Sequence, residues 1–183
     1  MGSALAKAAL DLGHEVVVIS GPVTVEYPDG AEVVWVSTTD EMLESATTLF
    51  EKLDGAIGAA APCDYMPRVV QSSKIAKTGE PLVLELVETP DVIATLGQKK
   101  QSHQWVVGFA LETEDRRFRA TVKLQKKHCD LIVSNGPQAI DSEENEVELL
   151  DLTGDVIAAI RGDKSKVAAE LLSHIDQRLV KRR

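Results

Sequence analysis

Cysteine is nearly absent from this chain: Cys63 and Cys129 stand alone. Two cysteines make neither a disulfide framework nor a zinc finger, so a reduced, cytoplasmic setting is expected. No apolar run approaches the roughly 18 residues of a membrane-spanning helix. The N-terminus lacks the charged region and apolar core of a signal peptide. His14, His103, His128 and His174 show no metal-ligand spacing. No Gly-x-Gly-x-x-Gly is present, and Ser20-Gly21 stands where a dinucleotide fold would carry an acid at the end of its second strand. Excess positive charge is lacking too. A net charge of −9 argues against a protein that coats nucleic acid or an anionic membrane. Repeats and low-complexity segments are absent.

What is present is ordinary globular material. The chain's 183 residues suit one domain with a sizeable core, and 44% hydrophobic with 27% charged residues is typical of one. Leu5, Ala8, Ala9 and Leu12 fall at helical spacing, closed by Gly13. Glu15-Val-Val-Val-Ile-Ser20 is a β-branched run without alternation, the mark of a buried parallel strand. A second strand is expected at Glu32–Val36. The capping box Thr38-Thr-Asp-Glu41 then opens a helix packing through Met42, Ala46, Leu49 and Leu53. A third strand ends near Gly58. The sequence α-β-β-α-β predicts an α/β fold: a Rossmann-like, doubly wound, mostly parallel sheet in a single domain.

Residues 69–89 break this pattern. Pro81-Leu-Val-Leu-Glu-Leu-Val-Glu88 alternates in part, with Leu82, Leu84 and Leu86 on one face. An inserted antiparallel flap, serving as a dimer arm and half-burying those leucines in the monomer, is the expectation. Thr89-Pro-Asp-Val92 predicts a helix with Thr89 as N-cap. A strand follows at Gln104–Phe109. A basic helix is expected from Glu114 to about Lys127, with Phe118 and Val122 facing the core. A strand at Asp130–Asn135, a hairpin over 147–160 and a final helix carrying Val167, Leu171, Ile175 and Leu179 complete the chain.

The chemistry concentrates on Gly58-Ala-Ala-Ala-Pro-Cys-Asp-Tyr-Met-Pro-Arg68. In open α/β sheets ligands sit outside the carboxyl ends of strands. Small residues there let a nucleotide approach the backbone, and a carboxylate with lysines beyond suits a metal-bound phosphate. On residue type alone Asp64 is equally a turn-capping carboxylate, and Lys74 and Lys77 a solvated loop. Lys123 and Lys127 are equally the wet face of a helix, and Phe109 is as readily core as ligand platform. Cys63 has no histidine nearby in sequence, so a thiol mechanism is rejected. Glu112 carries no assignment and could cap the following helix.

Five motifs in order resemble a known family. Ala60-Ala-Pro-Cys-Asp-Tyr65, Lys74-Ile-Ala-Lys77, Thr89-Pro-Asp-Val92, Val107–Thr113 and Lys123–Asn135 look like phosphopantothenoylcysteine synthetase. This is the coenzyme A enzyme often fused in bacteria behind a flavin-dependent decarboxylase. The resemblance implies a cytoplasmic, generally homodimeric ligase using Mg²⁺ and CTP, with no flavin in this domain. CTP would activate the carboxylate of 4′-phosphopantothenate as an acyl cytidylate, which the amine of cysteine would attack. It implies that Gly58, Ala59 and Ala60 line the nucleotide, and that Asp64 holds the cation or the triphosphate edge. Lys74 would serve acyl transfer, and Thr89, Pro90 and Phe109 would pack the nucleotide. Lys123 and Lys127 would meet its phosphates. Pro62-Cys63, Ala76 and Thr89 depart from the family pattern.

The family also opens with a strand, a Gly-Pro-Thr turn and a Ser-Ser-Gly-Lys segment before the Met-Gly that Met1-Gly2 matches. An N-terminally truncated domain is therefore expected, missing its normally central strand. A non-catalytic nucleotide-binding module is the main alternative, and an NAD(P)-dependent oxidoreductase a weaker one.

Overall fold

A computed structural model describes residues 1–112, 115–136 and 144–180. Its helices are α1 (Gly2–Asp11), α2 (Thr39–Phe50), α3 (Val92–Lys99), α4 (Arg116–Lys126) and α5 (Lys164–Ile175), the last running into a π-helical turn at Asp176–Val180. The strands are β1 (Val17–Ser20), β2 (Glu32–Trp35), β3 (Gly55–Gly58), β4 (Tyr65–Pro67), β5 (Leu86–Glu88), β6 (Trp105–Leu111), β7 (Leu131–Asn135), β8 (Glu144–Leu150) and β9 (Val156–Asp163). Local chemistry sets several boundaries. Gly13 takes φ 87° after α1, where a side chain would be strained. The capping box at Thr38 forms as the sequence predicts, with both the Thr38 and Glu41 side chains engaged. Asp163 caps α5, its carboxylate accepting from the Lys166 amide at 2.8 Å.

Strands β3, β6, β7, β8 and β9 form the main sheet in that order. The β3–β6 and β6–β7 pairs are parallel, and the β7–β8–β9 edge is antiparallel. Successive strand residues feed two opposite cores, as the two-residue period of a strand requires. Val107, Val133 and Leu149 pack with Leu5 of α1 and with Val167 and Leu171 of α5. Val106, Ile132 and Leu150 pack on the other face with Phe50 of α2, Leu96 of α3 and Leu124 of α4. Helices therefore cover both faces, which is why β6 and residues Leu131–Val133 of β7 are apolar without alternation. Among the described residues no helix is long and apolar enough to cross a membrane.

One helix turns a different face inward than expected. Phe118 and Val122 are exposed, whereas Ala120 and Leu124 are fully buried. Both pairs have the same four-residue spacing, and the small Ala120 lets α4 lie close to the sheet where a phenylalanine would hold it away. The helix start expected at Glu114 lies outside the described residues.

β1 and β2 pair in parallel with each other, apart from the main sheet. The facing segments Val17–Ile19 and Gly55–Gly58 line a single cavity, together with α1 and α2. The apolar residues of β1 and β3 are only half-buried along it.

The flap is antiparallel only at its stem, where Tyr65–Pro67 pairs with Leu86–Glu88. Arg68 closes the stem, donating its amide to the Glu85 carbonyl at 2.9 Å and pairing its guanidinium with the Glu85 carboxylate at 2.8 Å. The expected half-burial does not occur: Leu82 is 63% and Leu84 59% exposed. Within one chain those leucines have no sheet to lie on.

Candidate functional site

The loop Ala59–Asp64 leaves the C-terminal end of β3 and forms one wall of the cavity, whose volume is about 1380 Å³. Because β3 and β6 are parallel and pair Gly58 with Gly108, the next residue of β6, Phe109, emerges beside that loop. Two hydrogen bonds fix the loop to the segment before α3. Thr89 donates its amide to the Asp64 carbonyl at 2.9 Å and its hydroxyl to the Cys63 carbonyl. This employs Thr89 away from the helix, so the cap expected there falls to Asp91. The Asp91 carboxylate accepts from the Ala94 amide at 3.0 Å, and α3 starts two residues later than expected.

Gly58 has a different reason for being glycine than the one its sequence context implies. A Cβ there would come within 2.4 Å of the Ile93 side chain. Its missing side chain admits α3 against β3, so packing accounts for this glycine. The small residues that follow, Ala59 and Ala60, line the cavity itself.

Helix α4 brings lysines to the same cavity. Lys123 and Lys127, one turn apart, both line the cavity, as their shared helix face predicts. Each is held by a carboxylate. Lys123 Nζ lies 2.7 Å from Glu112 Oε1, and Lys127 Nζ lies 3.1 Å from Asp91 Oδ2. Sequence pattern alone gives neither acid this role. For Asp91 the signal was available, since Asp after Thr-Pro is a strong N-cap residue. Glu112 offered only an acid at the end of an apolar strand.

Gly58, Ala59, Ala60, Asp64, Thr89, Pro90, Phe109, Lys123 and Lys127 thus meet on one cavity. Lys74 is not among its lining residues; it is exposed on the arm between β4 and β5. Asp64 is exposed. Among the described residues no cluster of three or more His, Cys, Asp or Glu could enclose a metal ion. A single carboxylate such as Asp64 is enough only for a cation that takes most of its ligands from a bound phosphate and water, as Mg²⁺ does. Cys63 lies on the same wall and is exposed, whereas Cys129 is buried.

Residues 1–179 match the family described as DNA/pantothenate metabolism flavoprotein C-terminal domain. A cysteine/cysteine sulfinic acid decarboxylase from an unknown prokaryotic organism is 36% identical over 181 residues, covering 96% of this chain and 50% of that protein. The coenzyme A biosynthesis bifunctional protein CoaBC of Bacillus subtilis (strain 168) is 41% identical over 140 residues, covering 76% of this chain and 34% of that protein. The crystal structure of the C-terminal domain of a CoaBC protein superposes with a TM-score of 0.82 at 32% identity, covering 98% of this chain and 82% of that one. The chain spans about half the length, or less, of these curated relatives.

Proposed function

Because the chain belongs to the DNA/pantothenate metabolism flavoprotein C-terminal domain family, we propose that it is a ligase domain of coenzyme A biosynthesis. In this reading it joins 4′-phosphopantothenate to cysteine through an acyl cytidylate formed from CTP, in a cytoplasmic setting. The observation that carries the reading is the convergence on one cavity of the small-residue loop after β3, Phe109 and the lysines of α4. That arrangement suits a nucleoside triphosphate. Backbone groups of Ala59 and Ala60 approach the nucleotide, the Phe109 ring lies against it, and two ammonium groups neutralise its phosphates. Mg²⁺ bound by Asp64 would withdraw charge from the triphosphate.

The protein's own part in the chemistry is positioning and charge. Attack of the pantothenate carboxylate on the α-phosphorus needs the two held in line. Attack of the cysteine amine on the resulting anhydride needs the same cavity to retain the intermediate. Lys74 is proposed to serve these acyl-transfer steps from the arm, which requires the arm to close over the mouth or to reach across a homodimer. A flavin-dependent decarboxylase, fused or neighbouring, is the proposed companion.

The reading is tested by incubating the protein with CTP, Mg²⁺, 4′-phosphopantothenate and cysteine. Pyrophosphate, CMP and the amide product should form in equal amounts. Lys123→Gln should lower the rate by about 10²-fold, the scale of losing one charge-stabilising donor. CTP binding without product would favour the non-catalytic nucleotide-binding module instead.

A further inference from the structure

Glu112 is only 6% exposed, unusual for a carboxylate. Its backbone is pinned at the C-terminal end of the sheet, where its amide donates to the Asn135 carbonyl at 3.1 Å and so links the ends of β6 and β7. Its Oε1 lies 2.7 Å from Lys123 Nζ. Burying an acid is unfavourable unless a charge partner accompanies it, and Lys123 is that partner. The lysine itself stays 45% exposed at the cavity wall.

We propose that Glu112 is a positioning residue for Lys123: the buried carboxylate anchors the ammonium on the cavity wall, so that it meets a phosphate from a fixed place. This rests on the phosphate-binding role proposed for Lys123. The distance supports it: at 2.7 Å the ammonium and the carboxylate form an ion pair. An ammonium has three N–H donors, so a contact to one carboxylate oxygen leaves donors for a ligand in the cavity. The flexible four-carbon stem of lysine samples many positions when unrestrained, and the anchor at Glu112 removes that freedom before the phosphate arrives.

The neighbouring pair does not duplicate this. Asp91 is 45% exposed at its side chain and also caps α3, so its carboxylate is placed by the helix whether or not Lys127 is present. Glu112 has a single charged neighbour among the described pairs and is held by the sheet.

The test is a double-mutant cycle read by titration calorimetry with inorganic pyrophosphate and, separately, CTP. Glu112→Gln should weaken binding of each about tenfold, as Lys123→Gln does. The double variant should bind no more weakly than Lys123→Gln alone, because the two residues act as one unit. Glu112→Asp keeps the charge and should recover most of the loss, which a merely structural role for the side chain would not produce. Additive losses, unchanged affinity or tighter binding in Glu112→Gln would each overturn the proposal. Tighter binding would mean that Glu112 only quenches the lysine. The pyrophosphate titration needs neither CTP nor amide formation. Coupling there without product would sink the ligase reading alone, whereas product formation indifferent to Glu112→Gln would sink this inference alone. Failure of the wild-type protein to bind either pyrophosphate or CTP would overturn this inference, while amide formation would still decide the ligase reading.

Discussion

The two cysteines differ in everything but type. Cys129 is buried between α4 and the sheet, and desolvation pushes its thiol up to about 11. A raised value keeps it a thiol at neutral pH. Its contribution to stability is therefore complete below the ordinary thiol range and is lost as pH climbs toward 11. Cys63 is exposed on the cavity wall. Iodoacetamide at neutral pH should modify Cys63 alone in the folded protein, with Cys129 reacting only after denaturation. Bound CTP should slow the first reaction. Rapid uptake of two equivalents by the native protein would contradict this placement. Gly58 teaches the same lesson about single residues. Its type suggested room for a ligand, but the space is filled by Ile93, a residue whose approach depends on where α3 lands.

At the scale of elements, α3 shows how one carboxylate serves two purposes. Asp91 caps the helix through Oδ1 and holds Lys127 through Oδ2. Replacing it by Ala should cost about 1 kcal/mol, the usual loss of an N-cap. Asn caps about as well, so Asp91→Asn should stay near wild-type stability while releasing Lys127. Chemical denaturation of the two variants separates these roles, and equal losses would show that the charge, rather than the cap, stabilises α3. Helix α4 marks the opposite case. Its existence and its basic face were legible, but its apolar residues admit two inward faces, and contact with β7 selects Ala120 and Leu124.

For the whole molecule the arm is the feature a single chain leaves uncovered. Val70, Leu82, Val83 and Leu84 are 84%, 63%, 87% and 59% exposed, a concentration of apolar surface that marks interaction sites in soluble proteins. We propose that it forms a homodimer contact. Sedimentation at micromolar concentration should show a dimer, and Leu82→Lys with Leu84→Lys should give a monomer with unchanged circular dichroism. A wild-type monomer would count against the contact. The central cavity is the second such feature. β1 and β2 form a two-stranded parallel pair, and Val17, Val18 and Ile19 of β1 line the cavity; two-stranded ladders contribute little stability by themselves.

The sequence alone determined the element types, the doubly wound class and the loop after β3, since periodicity, capping boxes and glycine turns act over a few residues. It also placed Lys123 and Lys127 on one face, because four residues make one turn. Only the tertiary structure decided which residues oppose one another across the cavity. It set Phe109 beside Ala59, Glu112 under Lys123 and Asp91 against Lys127, and it left Lys74 on the arm. These pairings join segments that no local pattern connects. They arise from the parallel register of β3, β6 and β7, which brings the C-terminal ends of distant strands to one edge.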